Sequence, residues 1–222
     1  MPKIEEKIVI TSAADLQHHF DSILPSLQLA ETEDSWQKIE KSLIKLEAIT
    51  KSGGYKHDSF TTLFKSVAQP VINSLLSERT KLSGTAADLL NSVAPRLGER
   101  FESLIHVFAP TLLLICARTN KVALVRAKKC LLLIAKHCKL PSLLTHLRDA
   151  SKDKSQTMRM VSVEVTLMLL EAVDSKEKIG RRVADIETLV KGTATDRDPE
   201  VRQWCKRVFE VYIDWWPERV TL

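Results

Sequence analysis

The sequence predicts an all-α fold, a solenoid of about five to six stacked helix pairs, and three observations lead there. Apolar residues recur at helical spacing almost everywhere, as in the stripes Ile39, Leu43, Ile44, Leu46, Ile49 and Val161, Val165, Leu169, Leu170. Six Gly and eight Pro in 222 residues are too few for the many tight turns of a β-sandwich or barrel. Short polar breaks separate the stripes: ETEDS before Trp36, SERTK before Leu82, ARTNK before Val122, SKDKSQ before Thr157 and TDRDP before Glu200.

Helices opening after these breaks start near 36, 82, 121, 156 and 199, at intervals of 46, 39, 35 and 43. That is a degenerate repeat in the HEAT range of about 40–47 residues, with one shorter member. The first helix of each pair is read over 15–29, 58–76, 101–117, 140–150 and 177–194. The second helices are read over 36–51, 82–97, 121–138, 156–173 and 199–215. Ser52-Gly53-Gly54 suits a helix C-terminus, because Gly takes positive φ at little cost. Leu140-Pro141 breaks the helix before it, and Asp198-Pro199 puts an N-cap acceptor ahead of a Pro at the first helical position. A single helix pair cannot bury its apolar face, so the pairs are expected to stack as one domain over 15–222, with 1–14 as a detachable tail.

Other classes recede on composition and motif. No apolar run is longer than the six residues of Leu112 to Ala117, far short of the roughly 20 that span a bilayer, and the N-terminus does not read as a secretory signal, so membrane insertion is not expected. No G-K-[ST], H-E-x-x-H or G-x-S-x-G occurs, and Gly53-Gly54 follows a helix rather than a strand. His18-His19 and His137-Cys138 are adjacent pairs that diverge by about 100° on a helix, so neither converges on a metal or proton. Cys116, Cys130, Cys138 and Cys205 read as free thiols of a reducing compartment. Neither an enzyme nor a cofactor is expected.

Charge carries the functional signal. The net charge of +5 is uneven: residues 1–35 hold two bases and seven acids, and Arg79 to Arg159 hold fifteen bases and five acids. Such an excess attracts an acidic partner. In a helix-pair solenoid the turns within successive pairs emerge along one edge. That edge would carry Trp36, then Arg79 and Lys81, Arg118, Asn120 and Lys121, Lys152 and Lys154 with Arg159 just beyond, and Arg197. Lys128, Lys129, Lys136 and Lys139 on the second helix of the third repeat would extend a basic stripe for nucleic acid, the rival reading. Trp204, Phe209, Tyr212, Trp215 and Trp216 read as core and C-terminal cap, with a docking surface as the alternative.

At this point the chain resembles a family, the TOG domains, and is most similar to the N-terminal type found in CLASPs, the cytoplasmic linker-associated proteins. The resemblance rests on D-S-W-Q-K-I-E-K-S-L-I-K-L at 34–46, L-G-E-R-F at 97–101, A-P-T-L at 109–112, T-N-K-V-A at 119–123, A-K-H-C-K-L-P-S-L at 135–143 and D-R-D-P-E-V-R at 196–202. It implies a HEAT-type solenoid that binds the αβ-tubulin heterodimer or microtubules through its intra-repeat turns, hence a cytoplasmic, cytoskeletal location. By position it implies an apolar contact for Trp36 and acidic-surface contacts for Arg79, Lys121, Lys154 and Arg159, with Lys81 and Arg197 matching less closely. Gly84-Thr85 depart from the Arg-Glu pair common there in the family, which weakens the inference for contacts from that turn. Another acidic partner or a cytoskeletal adaptor is the alternative to tubulin.

Overall fold

A computed structural model describes residues 8–220. Among these residues the regular structure is entirely helical, and it forms two compact units, Met1–Leu97 and Gly98–Leu222. Residues 1–7 of the expected tail lie outside the described residues; Ile8 to Thr11 precede the first helix in non-helical conformation.

Unit 1 contains α1 (Ala13–Leu27), α2 (Trp36–Lys51), α3 (Phe60–Ser66), α4 (Ala68–Leu76) and α5 (Thr80–Leu97). Ser12 caps α1, its hydroxyl accepting the Asp15 N–H at 3.1 Å. α2 ends where Gly53 takes φ 101°, and Gly54 follows in a position where a Cβ would come within 2.8 Å of the Ile49 carbonyl oxygen. The expected helix 58–76 is two helices. Pro70 has no N–H for the Ser66 carbonyl and its ring crowds that oxygen, so α3 stops at Ser66 and Val67 leaves helical geometry at φ −102°, ψ 7°. α2 packs between α1 and α5, and α4 lies on α5. The core is centred on Phe20, Phe60 and Phe64, with Phe20 edge-on to Phe60 at 5.8 Å and Phe60 stacked on Phe64 at 5.9 Å. Each such buried ring contributes about 1.5–3 kcal/mol.

Unit 2 contains α6 (Glu102–Cys116), α7 (Lys121–Cys138), α8 (Leu143–Ala150), α9 (Gln156–Ala172), α10 (Lys176–Ile179), α11 (Val183–Thr193) and α12 (Pro199–Trp215). The first helices α6, α8 and α11 stack in one layer and the second helices α7, α9 and α12 in another. The expected helix 177–194 is interrupted by a 3-10 turn at Gly180–Arg182, where Gly has the weakest helical preference of any residue but Pro. The helix expected over 140–150 begins only at Leu143, because Lys139 takes the left-handed conformation at φ 54° and Pro141 follows. All four cysteines are free and buried, and burial pushes the Cys116 and Cys138 thiols up to about 12. In the C-terminal aromatic group Tyr212 and Trp216 are buried, whereas Phe209 is exposed.

Candidate functional site

In unit 1 the turn before α2 is shaped by Ser35. Its hydroxyl donates to the Ala30 carbonyl at 2.6 Å and accepts the Thr32 N–H at 2.8 Å, which closes the loop just before Trp36. Trp36 is half-buried, and its indole N–H is buried with no hydrogen-bond acceptor among the described residues. A buried donor without an acceptor costs about 1–3 kcal/mol. The Arg79 guanidinium lies 5.4 Å and the Lys81 Nζ 5.8 Å from the ring centroid, within cation–π range.

Both cations are already matched by carboxylates. Arg79 Nη2 donates to Glu33 Oε2 at 2.6 Å, and Arg79 Nε lies 3.3 Å from Glu31 Oε1. Ser77 Oγ also donates to Glu31, at 2.8 Å, so the turn before α5 is tied to the turn before α2. Lys81 Nζ lies 3.2 Å from the buried Glu40 carboxylate, which also accepts from Thr85 Oγ1 at 3.2 Å. At the family departure Gly84-Thr85, therefore, Thr85 anchors the acid that faces Lys81.

In unit 2 three turns are joined in series. Thr157 Oγ1, at the start of α9, donates to the Cys116 carbonyl at 2.8 Å, linking the turn before α7 to the one before α9. Arg159 links that turn to the next. Its Nε and Nη2 meet Asp196 at 2.6 and 3.0 Å, and its Nη1 donates to the carbonyls of Asp153 and Lys154, each at 3.0 Å. Hydrogen bonding to Asp196 raises the Arg159 pKa further, and the same bond holds the Asp196 carboxyl below its ordinary value. Arg159 is 8% exposed, so the position expected to meet a partner is occupied by an internal brace. Arg202 braces the last turn, donating to the carbonyls of Asp196 and Arg197 at 2.6 and 3.2 Å.

Asn120 also serves the fold from within. Its side-chain oxygen accepts the N–H groups of Val122 and Ala123 at 3.0 and 3.1 Å and caps α7. Lys121, Lys154 and Arg197, with Lys152 beside Lys154, are exposed and make no ion pair among the described residues. Of the eight positions expected at the site, then, Trp36, Arg79 and Lys81 form one cluster in unit 1. Lys121, Lys154 and Arg197 stand free on the joined turns of unit 2, and Asn120 and Arg159 support those turns. Sequence reading missed the acids Glu31, Glu33, Glu40 and Asp196. Their signal was a base one repeat away, 46 residues from Glu33 to Arg79 and 37 from Arg159 to Asp196.

The rival basic stripe is partly neutralised, since Lys128 pairs with Glu164 and Lys139 with Asp174, both at 2.6 Å. No group of three or more metal-ligating side chains occurs among the described residues, and no described helix is long and apolar enough to cross a membrane.

Within each unit, helices packed side by side with their turns tied one to the next are the arrangement of a TOG-type HEAT-like solenoid. The fold is similar to a crescerin structure described as using a TOG domain array to regulate microtubules in the primary cilium. That match has TM-score 0.61 and 16% identity, covering 90% of this chain and 76% of that one. It is also similar to a structure described under TOG-tubulin binding specificity in microtubule dynamics and mitotic spindle formation, with TM-score 0.64 and 11% identity, over 96% of this chain and 87% of that one. Residues 16–221 match the family model "CLASP N terminal", and the chain belongs to that family. Relatives include protein stu-1 of Neurospora crassa, 25% identical over 215 residues, and protein stu1 of Aspergillus oryzae, 26% identical over 207 residues. These alignments cover 92% and 90% of this chain, which spans only 19% and 17% of the two relatives' lengths.

Proposed function

We propose that this chain binds αβ-tubulin or microtubules through the turns of its helix pairs, and that residues 15–222 act as one binding domain in doing so. The observation that carries the reading is the set of exposed bases without ion pairs, Lys121, Lys154 and Arg197, on turns that are braced from within. Bases held out on a rigid edge suit charge-assisted hydrogen bonds to acidic side chains. Trp36 supplies the apolar anchor in unit 1, flanked by Arg79 and Lys81. The relatives' family and the microtubule and tubulin roles described for structures of the same fold support the choice of partner.

The mode of action is binding rather than chemistry. Unequal affinity for two conformations of the tubulin dimer would bias assembly by population shift. The cytoplasm and its cytoskeleton are the location this implies, and a cytoskeletal adaptor is a compatible additional partner. Size-exclusion co-elution with unpolymerised αβ-tubulin tests the reading. The wild-type chain is expected to form a complex that Lys121→Glu weakens and Trp36→Ala weakens by about 2 kcal/mol or more, with helicity and melting unchanged. Absence of a complex, together with no microtubule pelleting, would end the tubulin reading. Unfolding of Trp36→Ala would reassign that ring to the core.

A further inference from the structure

Unit 2 carries a second surface away from its turns. α9 and α12 run side by side in the same direction: Arg159 near the start of α9 meets Asp196 just before α12, and Glu171 near its end meets Arg207 at 3.6 Å. Between their C-terminal halves lies a groove of about 550 Å³. Its floor is Leu170, Val173, Val211 and Trp215, and its walls carry Glu171, Glu210 and Asp214. At 1.5 Å per residue, this groove lies roughly 20 Å along the helices from the turn edge.

Three features give it a preference opposite to that of the turns. Arg207 is the single base among the lining residues; it leans toward Glu171 and lies 4.8 Å from the Trp204 ring centroid. Glu210 is paired with Lys206 at 4.0 Å, as Glu171 is with Arg207, while Asp214 makes no ion pair among the described residues. Both helices end here, so their C-terminal carbonyls add negative potential to that of the carboxylates. The chain itself already recruits a cation to this end, since Lys176 Nζ donates to the Trp215 carbonyl at 2.8 Å.

We propose that this groove docks a short basic segment of a partner protein, one with a large apolar side chain set among Arg or Lys residues. The bases meet Asp214, Glu210 and Glu171, and the apolar side chain covers Trp215 and Val211. The acidic walls repel nucleic acid, anionic membrane and any acidic protein surface of the kind that fits Lys121 and Lys154. The two surfaces of unit 2 thus select partners of opposite charge, and their separation lets both be filled at once. This inference stands apart from the identity of the partner at the turns.

The test is fluorescence anisotropy of a labelled peptide of repeating Arg-Lys-Leu with the full chain at low salt. The wild-type chain is expected to bind it, and the double variant Glu210→Lys, Asp214→Lys to bind about tenfold or more weakly. Lys121→Glu with Lys154→Glu should lose nothing. Replacing Leu by Ser in the peptide should cost about tenfold, the value of one buried aliphatic side chain. Should the double reversal lose helicity, Glu210→Gln with Asp214→Asn takes its place, with a smaller loss in the same direction. Absence of wild-type binding, equal binding by the groove variants, or equal binding of the Ser peptide would each overturn the proposal.

Discussion

Both bases beside Trp36 in unit 1 have a carboxylate within 4 Å, whereas Lys121, Lys154 and Arg197 in unit 2 have none among the described residues. The two units built their turns by the same device, a polar link from each turn to the next, but placed the charge differently. In unit 1 the link is made by the outward base itself, Arg79 to Glu31 and Glu33, so the base is held over the ring and its charge is locally balanced. In unit 2 a buried base, Arg159, makes the link, and this leaves the neighbouring lysines unencumbered. Unit 1 therefore presents an apolar ring with balanced charge, and unit 2 presents charge without a ring. A partner that engages both would meet an apolar anchor and a charged edge, and the two contributions should respond differently to salt.

The largest expected effect breaks this comparison at its root. Arg159→Ala would leave Asp196 buried without its counter-ion and would free two backbone carbonyls, a loss of about 3–5 kcal/mol in unfolding free energy. Lys154→Glu, five residues away and exposed, should leave stability almost unchanged. Urea unfolding followed by circular dichroism distinguishes them; if both variants unfold at the wild-type midpoint, Arg159 is no brace. The Asp196 carboxyl sits below its ordinary value because Arg159 bonds to it, so its contribution is present above the unfolded-state value and is lost as pH falls through the folded one. Acid unfolding of Arg159→Ala should accordingly be less steep below about pH 4 than that of the wild-type chain.

A smaller effect sharpens the contrast between the units. Lys121→Glu and Lys154→Glu should weaken tubulin binding at low salt and flatten its salt dependence, because those charges are free to meet acidic side chains. Glu33→Gln should act in the other direction. It releases Arg79 from a carboxylate that is 79% exposed, and should strengthen binding by no more than about 1 kcal/mol, the usual scale of an exposed pair. A loss of affinity in Glu33→Gln would mean that the acid positions Arg79 for the partner rather than competing with it.

The second helices were more legible than the first because their starts carry strong local chemistry. Asn120 and Asp198 cap α7 and α12 as their residue types require, and the expected ranges 36–51, 121–138 and 199–215 coincide with α2, α7 and α12. Two of the first helices break where their pattern does not: Pro70 and Gly180 sit inside apolar patterns that continue past them, so periodicity alone joins α3 to α4 and α10 to α11. At the site the turns were legible from the repeat spacing, but the role of each base was not. Lys154 and Arg159 look alike in sequence, and only the position of Asp196, 37 residues on, makes one a brace and leaves the other free. A local reading of charge cannot see a partner that lies a full repeat away.

The smallest expected effect concerns the layer of first helices. His106 on α6 and His146 on α8 place Nδ1 and Nε2 2.9 Å apart, one ring donating and the other accepting. Burial, and then the His106 ring, hold the His146 pKa below 6.5, against a weaker opposing pull from Asp149. Between that lowered value and 6.5 the unfolded chain binds a proton that the folded chain does not, so stability falls as pH drops through this window. With both rings protonated neither nitrogen can accept, and the contact between α6 and α8 becomes a repulsion. Thermal melting measured from pH 7.5 to 5.5 should show the wild-type chain losing more stability on acidification than His146→Asn. Equal slopes would mean that the two rings separate at little cost, and that the packing of α8 on α6 rests on its buried leucines alone.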